Sequence, residues 1–313
     1  MNKLLYKVLF TITTVFTFSN STIVISMDHT INKSDKNLTI PHKKELVNEL
    51  NLFCDSVQEY VKKYTNKENE YDNNLYDLET QMAANAAEKE FELNGKTGKN
   101  CEWGVCPDYM QGIDIPLNNY IEKMSEVYDK GGEGVCRHLA SSLFNKLHSK
   151  GFFCGIMFCY SGNHTGGIRI PRPNHVVTLI ALKDSDTIQF FVSDPRNLQI
   201  VFCNNYRYMQ NPELKKIQNH SDNVCYHLNK DEFLKQISRP IDVLLIPLDK
   251  YLKFKDICEE SISVAFDLKS KLNFKKDSVW YPYPVNIGNK TVNDFKKQAE
   301  IFFKSTISGN QIS

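Results

Sequence analysis

The sequence predicts an α+β protein in which a helix presenting a single cysteine packs on an antiparallel sheet, with a helical lobe ahead of it. Three observations predict it. Apolar residues recur at spacings of three and four through Leu46, Leu50, Phe53, Val57, Tyr60 and Tyr64, the period of a helix that buries one face. From Phe152 to Val192 the pattern changes to continuous apolar runs, rich in β-branched and aromatic residues and separated by polar turns. Between the two regimes lies the glycine-rich segment Gly131-Gly-Glu-Gly134, which opens into one more amphipathic helix.

Taken in order, residues 1–26 read as a signal peptide, with Lys3 and Lys7 ahead of the apolar stretch Val8–Phe18 and small residues at Ser19, Ser21 and Ser26. Ser21 or Ser26 is the expected last residue removed. An uncleaved anchor is the alternative, since Val8 to Ile25 nearly spans a bilayer, but its Ser, Thr and Asn content favours cleavage. The expected location is secreted, periplasmic or cell surface, with membrane contact only if the N-terminal segment is uncleaved. Residues 27–115 form a helical N-terminal region, 116–250 the core and 251–313 a C-terminal helical extension.

Helices are expected over His42–Tyr64, over Leu75–Leu93 before Asn94-Gly95, and over Leu117–Tyr128, which runs directly into the glycine-rich turn. Val135, Leu139, Leu143 and Leu147 then make one stripe of a further helix that stops at Ser149-Lys150-Gly151. Phe152–Ser161 reads as a strand, Gly162–Asn174 as a Gly/Pro-rich loop, and His175–Leu182 with Thr187–Val192 as a hairpin. Leu198–Phe202 and Ile241–Pro247 are expected strands, Lys230–Ile237 and Asp256–Leu272 expected helices, and Val292–Phe303 the last helix. Val279–Pro284 breaks regular structure and reads as an aromatic brace between tail and core, with the lining of a substrate groove as the alternative.

The chain's formal net charge is +1, and its lysines are scattered without forming a basic stripe, so no nucleic-acid partner is implied. Metal chemistry has no sequence support either: His220 and Cys225-Tyr-His227 match no zinc-ligand spacing, and no cofactor motif is present.

The chemistry points to Cys136. It falls in the first turn of the helix after the glycines, where unpaired N–H groups and the positive end of the helix dipole favour a thiolate. A hairpin turn centred on Asp184-Ser185 would set His175 directly opposite Asp194, within hydrogen-bond reach, and align Val177, Leu179 and Ala181 with Val192, Phe190 and Ile188. Taken singly, each is unremarkable: a buried cysteine, a core histidine, a strand-ending Asp-Pro turn. Their order and register carry the inference.

Gly134-Val-Cys136-Arg-His-Leu-Ala140, a strand, Asn174-His175-Val-Val and Val192-Ser-Asp194-Pro together resemble the core of the transglutaminase-like superfamily, a papain-like group with chain order Cys, His, Asp. The resemblance covers Gly131 to Asn197. It implies a fold in which a catalytic helix packs on an antiparallel sheet, with Cys136 as nucleophile, His175 as general base and acid, and Asp194 orienting the imidazole. His138 departs from the pattern, because bacterial members often carry an acidic residue at that position. For the second oxyanion donor beside the Cys136 N–H, Trp103 and Gln111 are both open, and Gly134 and His164 are the candidate substrate contacts.

The expected activity is an exported cysteine hydrolase acting on amide bonds of proteins or peptides, pointing to a peptidase. A transglutaminase or glutamine deamidase using the same three residues is the alternative, as is a non-catalytic binding module of the same fold. Nine cysteines leave one unpaired after four bridges, which suits a free catalytic thiol. Cys101 and Cys106 are near enough in sequence to pair, whereas Cys154 and Cys159 would face opposite sides of one strand.

Overall fold

The computed structural model describes residues 41–65, 75–94, 112–159, 175–210, 239–253, 262–274, 284 and 290–309. The signal segment, Lys230–Ile237, nearly all of the aromatic brace, Cys101, Cys106, His220, Cys225 and His227 lie outside them.

The fold is α+β with antiparallel sheets. Among the described residues it begins with helices α1 (Lys43–Thr65) and α2 (Leu75–Asn94), the short strand β1 (Asp114–Pro116), and helices α3 (Leu117–Asp129) and α4 (Cys136–Ser149). Strands β2 (Phe153–Cys159), β3 (His175–Asp184) and β4 (Thr187–Ser193) follow, then α5 (Pro195–Gln210), β5 (Ile246–Pro247), α6 (Leu248–Tyr251), β6 (Ser263–Ala265), β7 (Lys271–Asn273) and α7 (Val292–Gly309). The five-stranded sheet runs β5-β4-β3-β2-β6, and β1 pairs with β7 in a small second sheet.

The period of two decides how that sheet is buried. Cys154, Ile156 and Phe158 of β2 and Val176, Ile180 and Leu182 of β3 pack with residues of α1, α3, α4 and α5. Their alternates Phe153, Met157, Val177, Leu179 and Ala181 pack with Tyr251 of α6 and Phe295, Ala299 and Phe303 of α7. Both faces are covered, which is why these strands read as unbroken apolar runs. Cys154 and Cys159 do stand at positions of opposite parity on β2, and both are free thiols.

The hairpin departs from its predicted register. Asp184 pairs with Thr187 and Leu179 with Val192, so the turn is Ser185-Asp186, with Ser185 in the left-handed region at φ 53°. The Thr187 hydroxyl donates to the Asp184 carbonyl at 3.1 Å across it. The slip is two residues. An even slip leaves every side chain on its predicted face, so His175 and Asp194 stay on one side but meet diagonally instead of directly.

Three other segments are corrected. Leu198–Phe202 lies inside helix α5: Asp194 supplies the cap, its Oδ1 accepting the Asn197 N–H at 3.3 Å, and Pro195 takes the first helical position. Within Ile241–Pro247 only Ile246 and Pro247 pair in the sheet, because Pro240–Val243 is a 3-10 turn. The described part of Asp256–Leu272 contains β6, an edge strand beside β2, and the start of β7, with the Asp267 carboxylate accepting the Lys269 N–H at 3.0 Å in the turn between them. The C-terminal region therefore completes both sheets as well as supplying a helix.

Phe295 of α7 is fully buried against Phe153, Phe266 and Phe190, with ring centroids 5.2, 5.8 and 6.2 Å away. A Cβ on Gly155 would come within 3.0 Å of its ring, so the glycine admits the close approach. Phe295→Ala is expected to destabilise the fold by about 3–5 kcal/mol, read from denaturant unfolding.

Candidate active site

The turn ahead of α4 is built by the N-terminal helices. Gly132 adopts φ +66°, and a Cβ on Gly131 would fall 2.5 Å from the Val127 carbonyl oxygen, so both positions require glycine. Lys63 Nζ donates to the Gly132 carbonyl at 3.2 Å, and the Tyr64 hydroxyl donates to Glu133 Oε2. Tyr60 reaches Gly134 twice: its hydroxyl donates to the carbonyl at 3.0 Å and accepts the N–H at 3.1 Å. Gln199 Nε2 of α5 donates to the same carbonyl at 3.4 Å. Gly134, expected as a substrate contact, is thus buried with its backbone polar groups committed to the scaffold.

Cys136 opens α4 as expected. Its sulfur lies close enough to the His175 ring to help hold the ring's proton, and His175 Nε2 meets Asp194 Oδ2 at 2.8 Å, so sulfur and carboxylate act on one imidazole. Cys136, His175 and Asp194 are 6%, 1% and 0% exposed, so this is a buried hydrogen-bonded chain from sulfur to carboxylate. Burial alone would strip the proton from the ring. The Asp194 carboxylate and the sulfur outweigh it and hold the imidazole's pKa up at about 10.

Asp194 is held on every side. Its Oδ2 also accepts the Asn197 amide Nδ2 at 3.1 Å and the Tyr251 hydroxyl at 3.0 Å, while Oδ1 caps α5. Burial first, then the neighbouring carboxylate, pushes the Tyr251 phenol far up, so it stays a donor. Cys159, paired across the ladder with His175, is also pushed far up by burial and by Asp194 and stays a neutral thiol. Sequence reasoning missed Tyr60, Tyr251 and Asn197. A helix-capping reading of Asp194-Pro195 would have pointed to Asn197; nothing local marks the other two.

Trp103, Gln111 and His164 lie outside the described residues. No family model matches the chain, and neither does any curated protein or solved structure.

Two measurements follow from this geometry. The His175 pKa of about 10 lies above its ordinary 6.5, so the pair's contribution to stability is complete below about pH 6.5 and is lost as pH rises through about 10. Denaturant midpoints should fall across that window, and fall less in Asp194→Asn. Tyr60→Phe should cost about 1–3 kcal/mol, because it strands the buried Gly134 N–H.

Proposed function

We propose that the chain is an exported cysteine hydrolase with a papain-like, transglutaminase-like core, cleaving amide bonds in proteins or peptides. The single observation that supports it is the buried chain from Cys136 through His175 to Asp194 at the start of a helix packed on an antiparallel sheet. The N-terminal pattern of Lys3, Lys7 and Val8–Phe18 supports export.

In this reading the thiol proton resides on His175 and the sulfur attacks as thiolate. The sulfur forms a bond to the carbonyl carbon as the C=O π pair moves to oxygen, and backbone N–H groups at the first turn of α4 stabilise that oxyanion. As the oxyanion collapses, the C–N bond breaks and the imidazolium gives its proton to the leaving amine, leaving a thioester. His175 then takes a proton from water, the hydroxide attacks the thioester, and the thiolate departs with the acid product. Asp194 stays ionised throughout and keeps Nε2 protonated. An amine in place of water would give transamidation, and attack at a glutamine side chain followed by water would give deamidation.

Iodoacetamide labelling tests the nucleophile. Near pH 6 Cys136 should react far faster than the equally buried Cys54, Cys154, Cys159 and Cys203, because the His175 ring takes its proton; burial followed by Asp55 pushes the Cys54 thiol up to about 12. His175→Ala should slow turnover by about 100-fold or more. A peptide library incubated with a primary amine and analysed by mass then reports cleavage, amine addition or deamidation. Uniformly slow labelling of all thiols would sink the enzyme and leave a binding module.

A further inference from the structure

A buried cluster of charged groups sits at the same helix end as Cys136. Glu90 of α2 is 1% exposed, and its Oε2 accepts from Arg137 Nε at 3.0 Å and from Arg137 Nη2 at 2.6 Å. The same oxygen meets His138 Nε2 at 2.7 Å, and the other ring nitrogen, Nδ1, accepts the Val135 N–H at 3.1 Å. A ring nitrogen that accepts a backbone N–H carries no proton, so the His138 proton is on Nε2 and is donated to Glu90. Burial and then the Arg137 charge keep this ring neutral, with a pKa pulled down to about 4. For Glu90, burial acts upward, but Arg137 and His138 win and hold the carboxyl at about 2.

The arrangement solves a problem that the sequence sets. Val135 occupies the N-cap of α4 and has no side-chain oxygen to satisfy the orphan N–H groups there. His138, at the third helical position, reaches back to the N-cap N–H, the part that Glu or Gln plays in a capping box. The two chain neighbours of Cys136 are therefore tied to one carboxylate: Val135 through the His138 ring, and Arg137 directly.

We propose that Glu90 and His138 are positioning residues, which hold the Cys136 backbone at the height and rotation where its sulfur meets His175. The inference rests on Cys136 being the nucleophile. It assigns part of the site to the N-terminal helical lobe, which supplies both the carboxylate and the Tyr60 clamp on Gly134.

The test compares His138→Gln, which keeps an acceptor for the Val135 N–H, with His138→Leu, which does not, in the full chain. Alkylation of Cys136 at about pH 6, mapped by mass spectrometry, should slow about tenfold in His138→Leu and stay within about threefold of the parent in His138→Gln. A purely structural role would lower both thermal midpoints without separating the two rates, and that result overturns the proposal. Should His138→Leu fail to fold, the parent labelled with ¹⁵N-histidine decides: Nδ1 bare and Nε2 protonated between about pH 5 and 8 supports it, and a protonated Nδ1 overturns it. Slow alkylation of Cys136 in the parent overturns this inference together with the hydrolase; fast alkylation that His138→Leu leaves unchanged overturns this inference alone.

Discussion

A carboxylate with no exposure has to be satisfied entirely by its neighbours, and Asp194 is the point from which much of the structure can be understood. It caps α5 with one oxygen and with the other receives His175 from β3, Asn197 from α5 and Tyr251 from α6. Three elements, β3, α5 and α6, are thereby fixed relative to one another by a single side chain. The same contacts that make its burial tolerable also orient the imidazole, so the stability of the fold and the placement of the ring draw on one network.

The sulfur end of the chain is organised differently. Cys136 sits at the tip of a helix that is wedged against α3 through Ser142, whose hydroxyl donates to Asp129 at 2.7 Å, and against the sheet through Thr178, which donates to the Ala140 carbonyl at 2.9 Å. The turn before it is gripped by α1 and the residues on either side by α2. Neither half of the site is therefore borne on a free loop among the described residues, which is the condition for holding two side chains in one fixed geometry.

Where burial is one-sided, the sequence was legible. Helices α1 and α3 each bury a stripe, and α4, buried on every side over residues 138–144, still carries its leucines at i+4 spacing among small and polar residues, so apolar spacing locates all three within a residue or two. Leu198–Phe202 within α5 reads as a strand because Leu198, Gln199, Ile200, Phe202 and Cys203 are all buried, which erases the helical period. The strands near residues 263 and 271 were invisible locally, since their pairing partners are in β2 and β1, far away in the chain. At the site, Cys136, His175 and Asp194 could be found from order and spacing, and the error in register was harmless because it was even. Tyr251, Glu90 and Tyr60 could not, because what makes them matter is a contact across long stretches of sequence.

The pairing of Asp114 with Asn273 has a consequence for how the molecule comes into being. A ladder between such distant positions cannot form until most of the polypeptide has left the ribosome, and the second face of the large sheet waits for Phe295 and Phe303. Loops this long close slowly, so these contacts form later than the local pairing of β3 with β4.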